Sequence, residues 1–321
     1  MAKGGLFSSP FVFLLERIWN MKMLETLNNQ FAISDQLHLQ SNESGFVMIM
    51  IDNEYAKAQI STYGGQVLSF LPHGETEDLL FLSDKAVFQD GKAIRGGIPV
   101  CWPWFGDDLS GLGMPSHGFA RNQPWKMVES KALIDGGTSV TLLLSDTDES
   151  RAVWPYQFEL YLEVVVGRNL TINLTTKNTG DKTLDFTQAL HTYFNISSVD
   201  NVKVLGLINK YYLDKLDQFS LKMQQGNVLI DKELDRIYQS APPIVELIDS
   251  NFNRTVQISS TGTHTTVVWN PWDKAITDIK DLDKTSYRKF VCIETVNAAD
   301  DNVILEADKE YTLSATYGMP N

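Results

Sequence analysis

The stretch Phe158-Glu-Leu-Tyr-Leu-Glu-Val-Val-Val166 decides the fold class. Phe158, Leu160, Leu162, Val164 and Val166 occupy every second position, and that period collects them on one face only if the chain is extended. The same alternation returns in Leu170, Ile172 and Leu174 against Thr171, Asn173 and Thr175. It recurs near the C-terminus in Tyr311, Leu313, Ala315 and Tyr317 against Thr312, Ser314 and Thr316. Working outward, further strands are predicted at 46–51, 56–62, 66–71, 139–144, 183–190, 202–206, 255–259, 264–269 and 290–295. Turn signals separate them, among them Gly64-Gly65, Asp135-Gly136-Gly137, Asn178-Thr179-Gly180 and Thr261-Gly262. Few segments carry a period of 3.6, so the chain reads as all-β, a sandwich or barrel rather than an α/β fold. No repeat, low-complexity tract or linker divides it, which predicts one large domain over residues 46–321.

Residues 1–45 read as an N-terminal extension, a short helix or disordered. Its apolar run Pro10–Leu15 stops at Glu16 and Arg17, too short to span a bilayer, and no small-residue cleavage site follows. Apolar residues make up 43% and charged residues 21%, the proportions of an ordinary globular chain whose core needs no disulfide or metal. The net charge of −13 argues against nucleic acid or an anionic membrane as partner; an anionic substrate would need a local cluster of Arg or Lys. Cys101 and Cys292 lie far apart without CxxC spacing, the pattern of a reduced, cytoplasmic protein. His38, His73 and His264 have no ligand spacing, and the motifs of nucleotide binding and serine hydrolysis are missing. Neither a metal nor a cofactor is expected.

Three segments interrupt the strand pattern. Ile94-Arg-Gly-Gly-Ile-Pro-Val-Cys-Trp-Pro-Trp-Phe-Gly106 crowds glycines, prolines and tryptophans around Arg95. It reads either as a rigid cover for one end of a sandwich or as a sugar platform, with Trp104 packing on a pyranose and Arg95 supplying a charged fork. Met114-Pro-Ser-His-Gly-Phe-Ala-Arg121 sets His117 and Arg121 beside a tight turn, although a lone histidine is more often structural. Glu294 stands in the apolar run Phe290-Val-Cys-Ile-Glu-Thr-Val296, where a carboxylate must be paired, hydrogen-bonded or held protonated. With a histidine such as His191 facing it, it would form an acid–base pair; alone, it is a buried carboxylate satisfied structurally.

Together the segments resemble the glucose-6-phosphate 1-epimerase branch of the aldose 1-epimerase (galactose mutarotase-like) superfamily. The resemblance is carried, in order, by Arg95–Gly106, Ser116–Arg121, Ala189-Leu-His-Thr-Tyr-Phe194, Asp235-Arg-Ile-Tyr238, Val268-Trp-Asn-Pro-Trp272 and Cys292-Ile-Glu-Thr-Val-Asn297, and runs from about residue 46 to 318. It implies a large antiparallel β-supersandwich and interconversion of α and β anomers at C1 of a sugar. Glu294 would take the proton of the C1 hydroxyl, and His191 as imidazolium would protonate the ring oxygen. By the same resemblance His117 would donate to the sugar, Asp235 would hold a hydroxyl, and Arg95 and Arg121 would bind the substrate or its phosphate. Ser116 replaces the glutamine common in the family, so a direct contact there would be lost or bridged by water.

The arginines tilt the expected partner toward a small sugar phosphate, glucose 6-phosphate or another hexose 6-phosphate, handled by a cytoplasmic monomer. An aldose 1-epimerase for unphosphorylated hexoses and a non-catalytic carbohydrate-binding sandwich are the alternatives. His191 and Glu294 are expected to face each other across a cleft about as wide as a pyranose ring, with Arg95 or Arg121 at one end.

Overall fold

In the computed structural model, which describes residues 10–108 and 111–320 with side chains from Met21 onward, the alternating segments are strands. Phe158–Val166 pairs antiparallel along its whole length with Leu170–Asn178, and its five alternate apolar residues are each at most 1% exposed. Burying side chains of this size contributes roughly 1.5–3 kcal/mol apiece, and a one-residue slip would turn all of them to solvent.

Among the described residues these strands belong to a nine-stranded antiparallel sheet. Its order is Val228–Leu229, Val202–Leu205, Ile244–Asp249, Arg254–Thr261, Glu310–Gly318, Leu170–Asn178, Phe158–Val166, Thr138–Ser145 and Lys126–Ala132. A second, eight-stranded sheet runs Ser220–Met223, Tyr211–Asp214, Leu234–Gln239, Thr265–Asn270, Phe290–Asn297, Gln188–Leu190 and Val100–Cys101, with Tyr193–Asn195 also pairing to Phe290–Asn297. A four-stranded sheet follows chain order from Leu37–Ser41 through Val47–Asp52 and Ala56–Ser61 to Gln66–Pro72. One core joins all three: Leu160, Leu174 and Val256 from the first sheet, Leu190, Val291 and Ile293 from the second, Ile49 and Ile60 from the third. The architecture is the layered antiparallel sandwich that the alternation predicts.

Two boundaries differ from the sequence reading. Residues 31–41, expected within an N-terminal extension, pack on the sandwich. Helix Pro10–Phe31 leads into strand Leu37–Ser41, which pairs with Val47–Ile51, and Phe31, Leu37 and Leu39 are buried in the main core. The Asn28 amide closes the outer edge of that strand, donating to Leu39 O and accepting from Leu39 N, both at 2.8 Å. With only Leu37 and Leu39 alternating, the strand is too short to register as a period. Residues 1–9 lie outside the described residues. Segment 183–190 is two strands: Leu184–Phe186 pairs with Val303–Leu305, whereas Gln188–Leu190 crosses to the eight-stranded sheet. No helix among the described residues is long and apolar enough to cross a membrane.

Candidate active site

Strand Phe290–Asn297 is buried at every position, so both of its faces are covered. Val291 and Ile293 enter the main core, while Cys292 and Val296 belong to two small clusters on the opposite face. Glu294 lies between those two on the same face, because side chains alternate along a strand. On one side the register sets Glu294 beside Val267, and Trp269 beside both Cys292 and Asp235. On the other side the ladder opens at His191 and Thr192, with the same register before and after the gap. His191 therefore stands opposite Glu294, its Nε2 3.4 Å from Glu294 Oε1.

The arginine-containing loop is zipped onto this segment. Pro99 O accepts from His191 N at 3.0 Å, and Gly97 O accepts from Tyr193 N at 2.9 Å. Glycine is required at residue 97: φ is +61°, and a Cβ would stand 2.2 Å from Val67 O. The crossing at Gly118 is closer still, where a Cβ would lie 2.0 Å from Trp102 O at φ +73°. That crossing pins His117, whose ring centroid is 5.5 Å from that of His191. Gly106 N donates to His117 Nδ1 at 3.3 Å, which leaves Nε2 to carry the proton of the neutral ring.

These side chains line a cleft of ≈ 430 Å³. Arg121 Nη2 donates to Ser116 O at 2.7 Å, and its Nε is buried without a hydrogen-bond partner among the described residues. Arg95 Nε donates to Asp281 Oδ1 at 3.1 Å and Nη1 to the Tyr193 hydroxyl at 3.2 Å. Lys215 Nζ is paired with Asp235 Oδ2 at 3.0 Å. Three cations thus converge on one cleft of an acidic chain.

Burial dominates the electrostatics. It pushes His191 from 6.5 down to about 3, helped by the charges of Arg121 and Arg95. Burial, then the charge of Asp235, lifts Glu294 well above the usual carboxylate range, against Lys215 and Arg121. Burial thus disfavours the ionised form of both partners. His117 is likewise held neutral, by burial first and then by Arg121 and His191. Asp235 is raised by burial in spite of Lys215. Burial also pushes Cys101 up to about 12 and Cys292 well above its ordinary value, so neither flanking thiol is a nucleophile. Glu294 Oε2 and His191 Nδ1 are buried without partners among the described residues. An unsatisfied buried polar atom costs about 1–3 kcal/mol, and a chain tolerates it where a ligand supplies the missing bond.

The structure brings His191, Glu294, Arg95, His117, Arg121, Asp235 and Ser116 into this one cleft. It corrects the sequence reading in three respects. Trp104 is not in the lining: its Nε1 donates to Pro115 O at 3.2 Å and its ring meets Phe119 edge-on, while Phe105, the next residue, faces the cleft. His191 and Glu294 are in near contact, because they are cross-strand neighbours rather than walls of a cleft. The carboxylate and imidazolium forms are both disfavoured by burial. Ser116 Oγ is bound to Asp107 Oδ1 at 2.9 Å. The sequence reading missed Lys215, Tyr193 and Trp269. Trp269 and Tyr193 sit inside recognised motifs, two residues from Pro271 and from His191, and period-2 counting from His191 would have found Tyr193. Lys215 carries no local signal. Among the described residues no three His, Cys, Asp or Glu side chains are grouped to hold a metal.

The chain is similar to known proteins over most of its length. Residues 47–318 match the model of the aldose 1-epimerase family. A Cenchrus ciliaris protein provisionally named glucose-6-phosphate 1-epimerase is 35% identical over 263 residues, covering 79% of this chain and 78% of that one. A Salmonella typhimurium protein with the same provisional name is 35% identical over 252 residues, covering 78% and 83%. The crystal structure of a Salmonella typhimurium protein provisionally described as a mutarotase superposes with a TM-score of 0.84 at 31% identity, covering 91% of this chain and 96% of that one. The chain belongs to the aldose 1-epimerase family.

Proposed function

We propose that this enzyme interconverts the α and β anomers of glucose 6-phosphate and related hexose 6-phosphates, with His191 and Glu294 as its acid–base pair. The single observation behind the chemistry is the 3.4 Å placement of His191 Nε2 beside Glu294 Oε1. The hydroxyl oxygen O1 and ring oxygen O5 of a pyranose are both bonded to C1, so an acid and a base standing side by side reach them together. Glu294 as carboxylate takes the C1 hydroxyl proton while His191 as imidazolium protonates O5. The C1–O5 bond breaks to give the aldehyde, C1 turns about C1–C2, and both protons return as the bond re-forms on the other face. The carboxylate–imidazolium form holds as many protons as the neutral pair, so the cycle needs only a transfer between the two partners. Burial is the main reason His191 stays neutral, and a phosphate dianion at Arg95 and Arg121 offsets the two positive charges that add to it, which favours the charged acid as substrate binds.

The substrate half rests on Arg95, Arg121 and Lys215 in a chain of net charge −13, and on the names borne by its relatives. His117 Nε2 and Asp235 take sugar hydroxyls, and Trp269 and Phe105 pack on the ring. The enzyme acts as a cytoplasmic monomer without cofactor, its sandwich a single domain. A His191→Asn variant tests the chemistry. It should bind glucose 6-phosphate within a few-fold of the wild-type affinity by calorimetry while anomerisation falls to the spontaneous rate. A carbohydrate-binding sandwich without catalysis would show no acceleration in the wild type either.

A further inference from the structure

His191 Nδ1 has no hydrogen-bond partner among the described residues, so no carboxylate or carbonyl holds that side of the ring, and Glu294 Oε1 approaches only Nε2, at 3.4 Å. Aromatic faces hold it instead. Tyr193 stacks on the imidazole at 5.0 Å with 15° between the planes, and Trp269 meets it edge-on at 5.9 Å. Tyr193 is itself fixed: its N–H donates to Gly97 O and its C=O accepts from Phe81 N, both at 2.9 Å, and its ring packs on Phe290 at 5.2 Å. Its hydroxyl accepts from Arg95 Nη1 at 3.2 Å, while Asp281 holds Arg95 Nε from the other side. One phenol therefore touches both a proton-transfer group and a phosphate-facing cation.

From this juxtaposition we propose that Tyr193 is a positioning residue with two separable duties, its ring setting the plane of His191 and its oxygen aiming Arg95 at the substrate phosphate. The inference rests on the function proposed above and adds a residue that couples phosphate binding to proton transfer. Stacking two residues apart on one strand face is what an extended segment permits.

Two variants separate the duties when α-glucose 6-phosphate and α-glucose are assayed side by side with the wild type. Tyr193→Phe keeps the ring and removes the oxygen. KM for glucose 6-phosphate should rise about 3–10-fold with kcat within about twofold, the size of one lost hydrogen bond to a charged group. Tyr193→Leu removes the stack, and kcat should fall about 10-fold or more on the phosphorylated sugar, as expected for a misaligned acid. Recovery of kcat in the Phe variant distinguishes orientation from a general loss of packing. Tyr193→Phe with wild-type KM, or with kcat as low as in Tyr193→Leu, overturns the proposal. A wild type that accelerates neither sugar defeats the functional reading itself, whereas an active wild type with either of those Phe results defeats only the role of Tyr193.

Discussion

Replacing Glu294 with Gln should make the protein more stable at neutral pH and nearly inactive. The carboxyl is buried, lies 3.4 Å from a neutral imidazole, and has one oxygen without a partner. Its folded pKa is raised above the unfolded value of 4.5, so above pH 4.5 the native state retains a proton that the unfolded chain releases. Stability contributed by this group is therefore full below pH 4.5 and is lost as pH rises toward the folded pKa. At 1.36 kcal/mol per unit, keeping the carboxyl protonated up to pH 7 costs as much as about 3 kcal/mol. Gln has the same shape and no proton to hold, so the variant should gain up to that amount at pH 7 and nothing near pH 4.5. Urea titrations of both proteins at the two pH values measure this, with His191 titrating alike in each. Anomerisation should drop by roughly 10²–10⁴, the usual worth of a positioned acid or base. A variant less stable than wild type at pH 7 would mean that Glu294 is ionised and paired in the folded chain. A stability difference independent of pH would refute the reasoning equally.

Arg121→Ala should raise KM for glucose 6-phosphate by about 10–100-fold, since a charge-assisted bond contributes about 1.5–3 kcal/mol; an unchanged KM would remove Arg121 from phosphate binding. Gly118→Ala would press a Cβ to 2.0 Å from Trp102 O at φ +73°. It should lower the unfolding free energy by about 2 kcal/mol or more, read as a lower urea midpoint. Trp104→Ala should leave kcat/KM within about twofold of wild type because the indole faces Pro115 and Phe119 rather than the cleft; a large loss would restore Trp104 to the sugar site.

The fold class was legible because a half-buried strand must alternate. Phe158–Val166 and Leu170–Asn178 state their pairing face in the sequence itself. Short strands such as Leu37–Ser41 and Tyr211–Asp214 hold too few apolar residues to show a period, and tertiary pairing defines them. Glu294 could be flagged by physics alone, as an ionisable group inside an apolar run. His191 could not, because its importance comes from standing opposite Glu294, and cross-strand register is not written in local spacing. Trp104 shows the opposite failure: an aromatic inside the right motif was assigned to the cleft, although one position along the chain decides which side a ring faces. Lys215 enters the cleft from a short 3-10 turn, Lys215–Asp217, far along the chain from every recognised motif. Charges of this kind become visible only once the sheet has brought Asp235 beside them.

The central claim is mutarotation of a phosphorylated hexose by a neighbouring His191–Glu294 pair. Its most direct test is kcat/KM for α-to-β conversion of glucose 6-phosphate against glucose, from polarimetric or NMR progress curves corrected for the spontaneous reaction. Three cations in the cleft predict a preference for the phosphorylated sugar of about tenfold or more. Equal rates, a preference for glucose, or no acceleration of either sugar would contradict the account.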